Sequence, residues 1–159
     1  MRLYLHGELL HDTSTASSII KELDSIDAPV TLEITSEGGD TYSALALYNK
    51  IKARKAPVTT VANALCMSAA VLVFAAGRER LMLPNTVFMV HEYQYNPNGT
   101  VSKVRRVSDQ AMREQSLYAK LLSDNSNLTQ QKWIKMMNAE TYFNEQEAIK
   151  YGLGHKVLK

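Results

Sequence analysis

The order of strand-like and helix-like segments constrains the fold of this chain more than any other feature of its sequence. Strand patterns cover residues 3–6, 30–35, 58–62, 80–82 and 87–91, the last two forming a pair around the Pro84–Asn85 turn. Runs with helical spacing cover residues 14–26, 44–51 and 67–76. Strands that alternate with helices in this way predict an α/β core, in which some strands are parallel and are covered by helices.

The last third of the chain has a different pattern, because helices follow one another there. We expect a long amphipathic helix over residues 101–122, a second helix from near Thr129, and a third over residues 144–152 with Glu147 placed for a capping box. The sequence has no repeat, low-complexity tract or long linker. A length of 159 residues with 45% hydrophobic content then predicts one domain over residues 1–159.

Charge and composition argue against several classes of partner. The 18 basic residues exceed the 16 acidic ones by only two, and the two kinds alternate along the chain, so neither nucleic acid nor a membrane is an expected partner. The N-terminus lacks the pattern of a signal peptide, and the longest apolar stretch, residues 65–77, is too short to span a bilayer. One cysteine, Cys66, fits a reducing compartment, and we expect a cytoplasmic protein.

Two junctions between a strand and a helix contain unusual residues, and the first is a glycine turn. Gly38 and Gly39 follow the strand that ends near Ser36. Paired glycines allow positive φ angles and can point bare N–H groups into a cleft, where they bind an oxyanion. A tight turn that only needs glycine explains the same pair, so this motif alone does not indicate a site.

The second junction places a serine where an apolar helix of small residues begins. Ser68 precedes Ala69 and Ala70 at the expected start of this helix. The N–H of Ala69 and the helix dipole behind it suit a nucleophile whose reaction produces an oxyanion. Serine is also a common helix cap, so the sequence leaves a capping role open at this point.

Taken in order along the chain, four groups of motifs resemble the proteolytic subunit of the Clp protease family. They are the strand and turn at 34–39, the small-residue segment at 67–77, Leu-Pro-Asn at 83–85 with the strand 87–91 that follows it, and the helix and Tyr-Gly-Leu turn at 147–153. The resemblance covers nearly the whole sequence. It implies an α/β fold of the Clp protease and crotonase type, with repeated β-β-α units and a long handle helix.

The resemblance also assigns roles to individual residues. It implies that Ser68 is the nucleophile of a serine peptidase and that His91, at the end of its strand, is the general base. The N–H groups of Gly39 and Ala69 would bind the oxyanion, and Gly38 belongs to the same oxyanion and substrate-binding turn.

For the acidic member of the triad the resemblance points to Glu140. Counting back from the Tyr-Gly-Leu turn places Glu140 at the position of the catalytic aspartate, and a glutamate can orient a histidine as an aspartate does. Asp109 and Asp124 are substitutes, although each reads more simply as a solvated charge on the long helix.

The other reactive side chains have structural explanations. His6, His11 and His155 show no ligand-like spacing, so we predict no metal site and no cofactor. Cys66 lies in an apolar run and reads as a small buried residue, and the scattered methionines read as core or subunit contacts.

The resemblance further implies a substrate and an assembly. The substrate class is unfolded polypeptide, and the assembly is a homo-oligomeric ring, either a heptamer or two stacked heptamers, with residues 94–100 and the long helix as the handle. A Clp-type ATPase or host Clp subunits are possible partners. The sequence starts at the family's first core strand, so we expect the axial segment to be absent. Short members of this family occur in bacteriophages and as bacterial paralogues.

Three alternatives remain open. A structural or regulatory ring subunit with weak activity would explain a glutamate at the position of the aspartate. A crotonase-like acyl-CoA enzyme would share the core fold and the paired oxyanion donors, but it has no use for Ser68 with His91. A serine–lysine dyad would require Lys52 or Lys55 to reach Ser68.

Overall fold

A computed structural model of the chain describes residues 1–10 and 14–159, so the prediction for His11 lies outside the described residues. Its strands are β1 (Arg2–His6), β2 (Val30–Ser36), β3 (Val58–Met67), β4 (Glu79–Met82), β5 (Val87–Val90), β6 (Thr141–Asn144) and β7 (Lys156–Val157). Its helices are α1 (Ser14–Ser25), α2 (Thr41–Ala53), α3 (Ala69–Ala75), α4 (Val101–Asp124), α5 (Gln130–Asn138) and α6 (Glu145–Lys150). Within these ranges no helix combines the length and the apolar character needed to cross a membrane.

The strands form one mixed sheet. Its main path runs β1-β2-β3-β4-β7, while β5 pairs with β3 and with β6. All of these strand pairs are parallel except β5 with β6. The predicted α/β fold, with parallel strands covered by helices, is therefore confirmed.

Strand β3 is longer than its pattern predicted, and it changes partner along its length. The strand continues past Ala62 to Met67, and Ala64 adopts a positive φ of 59° where the strand turns. Residues 59–62 pair with β4, whereas residues 65–67 pair with β5. The prediction that β4 and β5 pair around their turn is wrong, because each lies parallel to a different part of β3.

Two short strands were not predicted. Strand β6 has four residues and β7 has two, so neither carries enough alternation to be recognised. They form by pairing with β5 and β4. The capping box predicted at Asn144 is confirmed, since its side chain accepts a hydrogen bond from the Glu147 N–H and its own N–H donates to the Glu147 carboxylate.

Helix α3 is buried along its whole length. Each of its seven residues is buried, as expected for a helix that is apolar on all sides. Burial of side chains such as Val71, Leu72 and Phe74 stabilises the fold by roughly 1.5–3 kcal/mol each. The residue before this helix is therefore held against a rigid part of the core.

An aromatic cluster fixes strand β5. The Phe88 ring stacks on Phe143 of β6 with centroids 5.2 Å apart, and it lies 5.3 Å from the ring of Phe74 on α3. Trp133 of α5 also packs against Phe143, with ring centroids 6.2 Å apart. The residue that follows β5, His91, is thereby placed by packing on several elements.

Candidate active site

Ser68 lies between the end of β3 and the start of α3, and its backbone is unusual. Its φ of 52° and ψ of −127° are rare for a residue with a side chain, and such conformations persist only where surrounding contacts enforce them. Here the Ser68 N–H donates to the Met89 carbonyl of β5 at 2.7 Å, and the Ser68 carbonyl accepts a hydrogen bond from the Tyr118 hydroxyl of α4. Hydrogen bonds therefore hold both the N–H and the carbonyl of Ser68.

The Ser68 hydroxyl does not cap helix α3. No capping hydrogen bond is made by this side chain. Instead, its Oγ lies 2.8 Å from Nε2 of His91. The capping role that the sequence left open for Ser68 is therefore not observed. At this distance an imidazole nitrogen can accept the hydroxyl proton when the oxygen attacks an electrophile.

His91 directly follows β5 and is half-buried. Its Nε2 faces Ser68, while its Nδ1 makes no hydrogen bond to any residue that the structure describes. The structure therefore presents a serine–histidine pair and not a hydrogen-bonded triad.

The glycine turn lies directly against the serine. Gly38 has a φ of 99°, and a Cβ added there would come within 2.7 Å of the Ser68 Cβ and 2.8 Å of the Ala69 nitrogen. Only a residue without a side chain allows this approach. The turn is held in place by Leu9, whose N–H donates to the Gly38 carbonyl at 2.7 Å and whose carbonyl accepts from Asp40 at 2.6 Å.

Two backbone N–H groups near Ser68 have no acceptor among the described residues. The bridge with Leu9 uses the groups on either side of Gly39 and leaves the Gly39 N–H unused. Ala69 is the first residue of α3, and the first N–H groups of a helix have no partner within it. The Gly38 N–H, in contrast, donates to Oγ of Ser36 at 3.1 Å and so holds the turn.

These groups face a cavity of about 420 Å³. It is lined by residues of the loops that follow β1, β2, β3 and β5 and by residues of helices α2, α3, α4 and α5: Glu8, Glu37, Gly39, Asp40, Thr41, Ser68, Ala69, His91, Glu92, Tyr93, Gln94, Gln115, Tyr118 and Met137. The serine, the histidine and the free N–H groups thus open onto one space. That space is where a substrate carbonyl could meet the serine oxygen.

Glu140 is not brought to the pair. Continuing the β5–β6 register by one residue beyond the Val90–Thr141 pair would set Glu140 opposite His91. However, Glu140 lies in a turn with a positive φ of 45°, its side chain is exposed, and it forms no hydrogen bond with His91. Its role as the acidic member of a triad stays a prediction.

The alternative acidic groups lie elsewhere. Asp124 forms an ion pair with Lys120 at 2.6 Å on the surface of α4. Asp109 lies on the same helix, where its carbonyl accepts from the Arg113 side chain. Neither residue lines the cavity that contains Ser68.

The other candidate nucleophile and base also lie apart from the cavity. Cys66 is fully buried, and burial raises the pKa of its thiol, so it is the small buried residue that the sequence indicated. Thr41 lines the cavity at one end of α2, and Lys52 lies about 16 Å further along at 1.5 Å per residue, where its ammonium donates to Asn125. Lys55, the other candidate base, lines a separate cavity with Leu23 and Arg54. A serine–lysine dyad is therefore not formed among the described residues.

Sequence reasoning missed Leu9 and Tyr118. Tyr118 lies seven residues after Ala111 on the apolar face of α4, so its burial could have been inferred from helical spacing. Its hydrogen bond to the Ser68 carbonyl could not, because that contact joins residues fifty positions apart. Leu9 belongs to no motif, and it holds the glycine turn through its backbone while its side chain is buried in the core.

The fold and the site define a class of protein: an α/β protein with a largely parallel sheet that presents a serine to a histidine, beside two backbone N–H groups that have no acceptor among the described residues. The sequence profile of the Clp protease family matches residues 3–159. This chain therefore belongs to the Clp protease family, and it is a Clp-type peptidase, a hydrolase.

Two curated relatives illustrate the similarity. One is the ATP-dependent Clp protease proteolytic subunit of Deinococcus radiodurans, 25% identical over 154 residues that cover 92% of this chain and 76% of the relative. The other is the ATP-dependent Clp protease proteolytic subunit 2 of Treponema denticola, 27% identical over 165 residues that cover 99% of this chain and 82% of the relative.

Proposed function

We propose that this chain is a serine endopeptidase in which Ser68 is the nucleophile and His91 the general base. The observation that carries the proposal is the 2.8 Å contact between the Ser68 Oγ and the His91 Nε2. A serine at a helix start would ordinarily cap the helix, so the use of its hydroxyl toward a histidine favours a chemical role.

The geometry supports acyl transfer in two halves. The Ser68 oxygen attacks the peptide carbonyl carbon while its proton passes to Nε2 of His91, and the oxyanion accepts hydrogen bonds from the N–H groups of Gly39 and Ala69. His91 then gives the proton to the leaving amine, and the C–N bond breaks. Water attacks the acyl-enzyme, with His91 as its base, and releases the acid and Ser68.

The names of the two relatives support a proposal for the substrate and the assembly. Both are named as proteolytic subunits of ATP-dependent Clp proteases. We accordingly propose unfolded polypeptide as the substrate, a homo-oligomeric ring as the working form, a Clp-type ATPase as the partner, and the cytoplasm as the location. The cavity at Ser68 needs no cofactor for this chemistry.

Cleavage of an internally quenched peptide, without an ATPase, tests the function. A short peptide enters without unfolding, so the assay reports the chemistry of the subunit alone. We expect Ser68→Ala to lower kcat/KM by at least about 10³-fold, in line with the loss of a catalytic serine. Ser18→Ala on the exposed face of α1 is the matched control and should leave the rate unchanged. Equal rates in wild type and Ser68→Ala would overturn the proposal.

A further inference from the structure

The cavity at Ser68 has an unbalanced charge. Four carboxylate side chains line it, those of Glu8, Glu37, Asp40 and Glu92. Among the described residues that line it there is no lysine or arginine. The chain as a whole carries a net charge of +2, so this lining is opposite in sign to the molecule around it.

Three of these carboxylates are not neutralised within the described part of the chain. Glu8, Glu37 and Glu92 are exposed, and none forms an ion pair with a described basic residue. Asp40 differs, because its carboxylate accepts hydrogen bonds from Ser43 at the start of α2. Among the described residues, no group of three or more acidic, histidine or cysteine side chains is arranged to hold a metal ion.

A second cavity adjoins the first and shares Tyr93 with it. Its lining includes Glu114 and the rings of Tyr42 and Tyr95. Burial acts to raise the pKa of Glu114, but hydrogen bonds from Tyr42, Gln110 and Tyr93 outweigh it and hold the pKa below its usual value. Arg106 also lines this second cavity and offsets one negative charge there. The uncompensated negative charge therefore lies in the first cavity.

Clefts lined by charge of one sign raise the local concentration of oppositely charged ligands. Building on the proposed function, we propose that the cleft selects polypeptide segments that carry lysine or arginine close to the scissile bond. Glu8, Glu37 and Glu92 are the residues that determine this specificity. One exposed ion pair is worth about 1.5- to 5-fold, so two or three together favour a cationic segment by about tenfold.

Matched peptides measure the preference. Three quenched peptides of one sequence carry lysine, glutamine or glutamate on both sides of the scissile bond. At low ionic strength we expect kcat/KM to fall from lysine to glutamine to glutamate, with a lysine-to-glutamate ratio of at least about tenfold. Because salt screens exposed charges, the ratio should drop below about threefold near 1 M salt. A ratio of one or less at low salt would overturn the inference.

Charge removal at the cleft tests the residues. The triple variant Glu8→Gln, Glu37→Gln, Glu92→Gln should bring the lysine-to-glutamate ratio to within about twofold of one. The control Glu22→Gln, Glu79→Gln, Glu145→Gln removes the same charge outside the cleft and should keep the wild-type ratio. If the triple variant does not fold, the single variants Glu8→Gln and Glu92→Gln replace it. Each should lower the lysine-to-glutamate ratio by about twofold. An unchanged ratio in these variants would contradict the assignment.

An uncharged fluorophosphonate separates this inference from the proposed function. If folded protein forms no adduct at Ser68, the proposed function fails. If the adduct forms and the peptides are cut without regard to charge, only the specificity inference fails.

Discussion

At the scale of single residues, Gly38 combines a conformational and a steric requirement. Its φ of 99° favours glycine, and an added Cβ would lie 2.6 Å from the Met67 carbonyl oxygen. We expect Gly38→Ala to displace the turn that carries the Gly39 N–H and to lower kcat/KM by at least about 100-fold, the usual effect of losing an oxyanion donor.

Gly7 provides a matched control for this substitution. It also has a positive φ, 77°, but a Cβ there would meet nothing within 4 Å. Gly7→Ala should cost about 1 kcal/mol in the free energy of unfolding, because of the dihedral alone, and leave activity close to wild type. Equal activity losses in the two variants would contradict a specific role for Gly38.

The resemblance assigns Glu140 to the triad, whereas the structure shows no hydrogen bond between Glu140 and His91. Replacing the acidic member of a true triad costs about 10⁴-fold in kcat. Because Glu140 makes no hydrogen bond with His91, we expect Glu140→Gln to lower kcat by less than about tenfold. A loss above about 100-fold would show that Glu140 turns toward His91 during the reaction.

The residues of the site differ in how readily the sequence revealed them. The roles of Ser68 and His91 were predicted from the family resemblance of the motifs around them, and the structure brings the two side chains together. Gly39 and Ala69 were predicted as donors, and their N–H groups have no acceptor among the described residues. The turn at Glu140 could not be predicted, because a positive φ at a residue other than glycine has no clear signal in the sequence.

At the scale of elements, helix α4 supports the start of helix α3 through Tyr118. The buried Tyr118 hydroxyl donates to the Ser68 carbonyl, and burial raises the pKa of the phenol, which keeps it a donor. Tyr118→Phe should lower the free energy of unfolding by about 1 kcal/mol, because a buried hydrogen bond is lost while the Ser68 carbonyl keeps the Val71 N–H at 3.1 Å. We also expect kcat to fall by about tenfold with KM nearly unchanged, since Tyr118 positions the nucleophile.

The control for this element is Tyr142→Phe, because the Tyr142 side chain is 56% exposed and forms no side-chain hydrogen bond among the described residues. It should change neither stability nor kcat. Chemical denaturation and peptide kinetics measure both effects. A Tyr118→Phe variant with lower stability but wild-type kcat would assign Tyr118 a purely structural role.

Elements were predicted in proportion to the strength of their periodicity. The long helix α4 was found because its apolar spacing repeats over many turns, and it extends two residues further than predicted. Strand β3 was ended too early because Ala64 interrupts its pattern, although β5 pairs beyond that point. Strands β6 and β7 have no signal of their own and depend on their partners.

At the scale of the whole molecule, the buried guanidinium of Arg80 joins distant segments. Arg80 is 9% exposed, and its side chain donates to four backbone carbonyls, those of Gly77, Asn125, Gly152 and Leu153. These carbonyls belong to the ends of α3 and α4 and to the turn before β7. We expect Arg80→Leu to lower the free energy of unfolding by about 3 kcal/mol, because buried acceptors lose their donors.

Arg78→Leu is the matched control for Arg80, since Arg78 is exposed two residues earlier and its side chain forms no hydrogen bond among the described residues. Its effect should stay within about 0.5 kcal/mol. Urea denaturation of both variants measures the difference. Equal stability of the two would show that Arg80 does not hold these segments together.

The central claim is that Ser68 and His91 form a working nucleophile and base. Intact-mass measurement of the folded protein after treatment with a fluorophosphonate tests it most directly. We predict one adduct per chain, located at Ser68 by peptide mapping, absent in Ser68→Ala and formed at least about 100-fold more slowly in His91→Ala. Folded wild-type protein that forms no adduct, or an adduct that persists in Ser68→Ala, would contradict the claim.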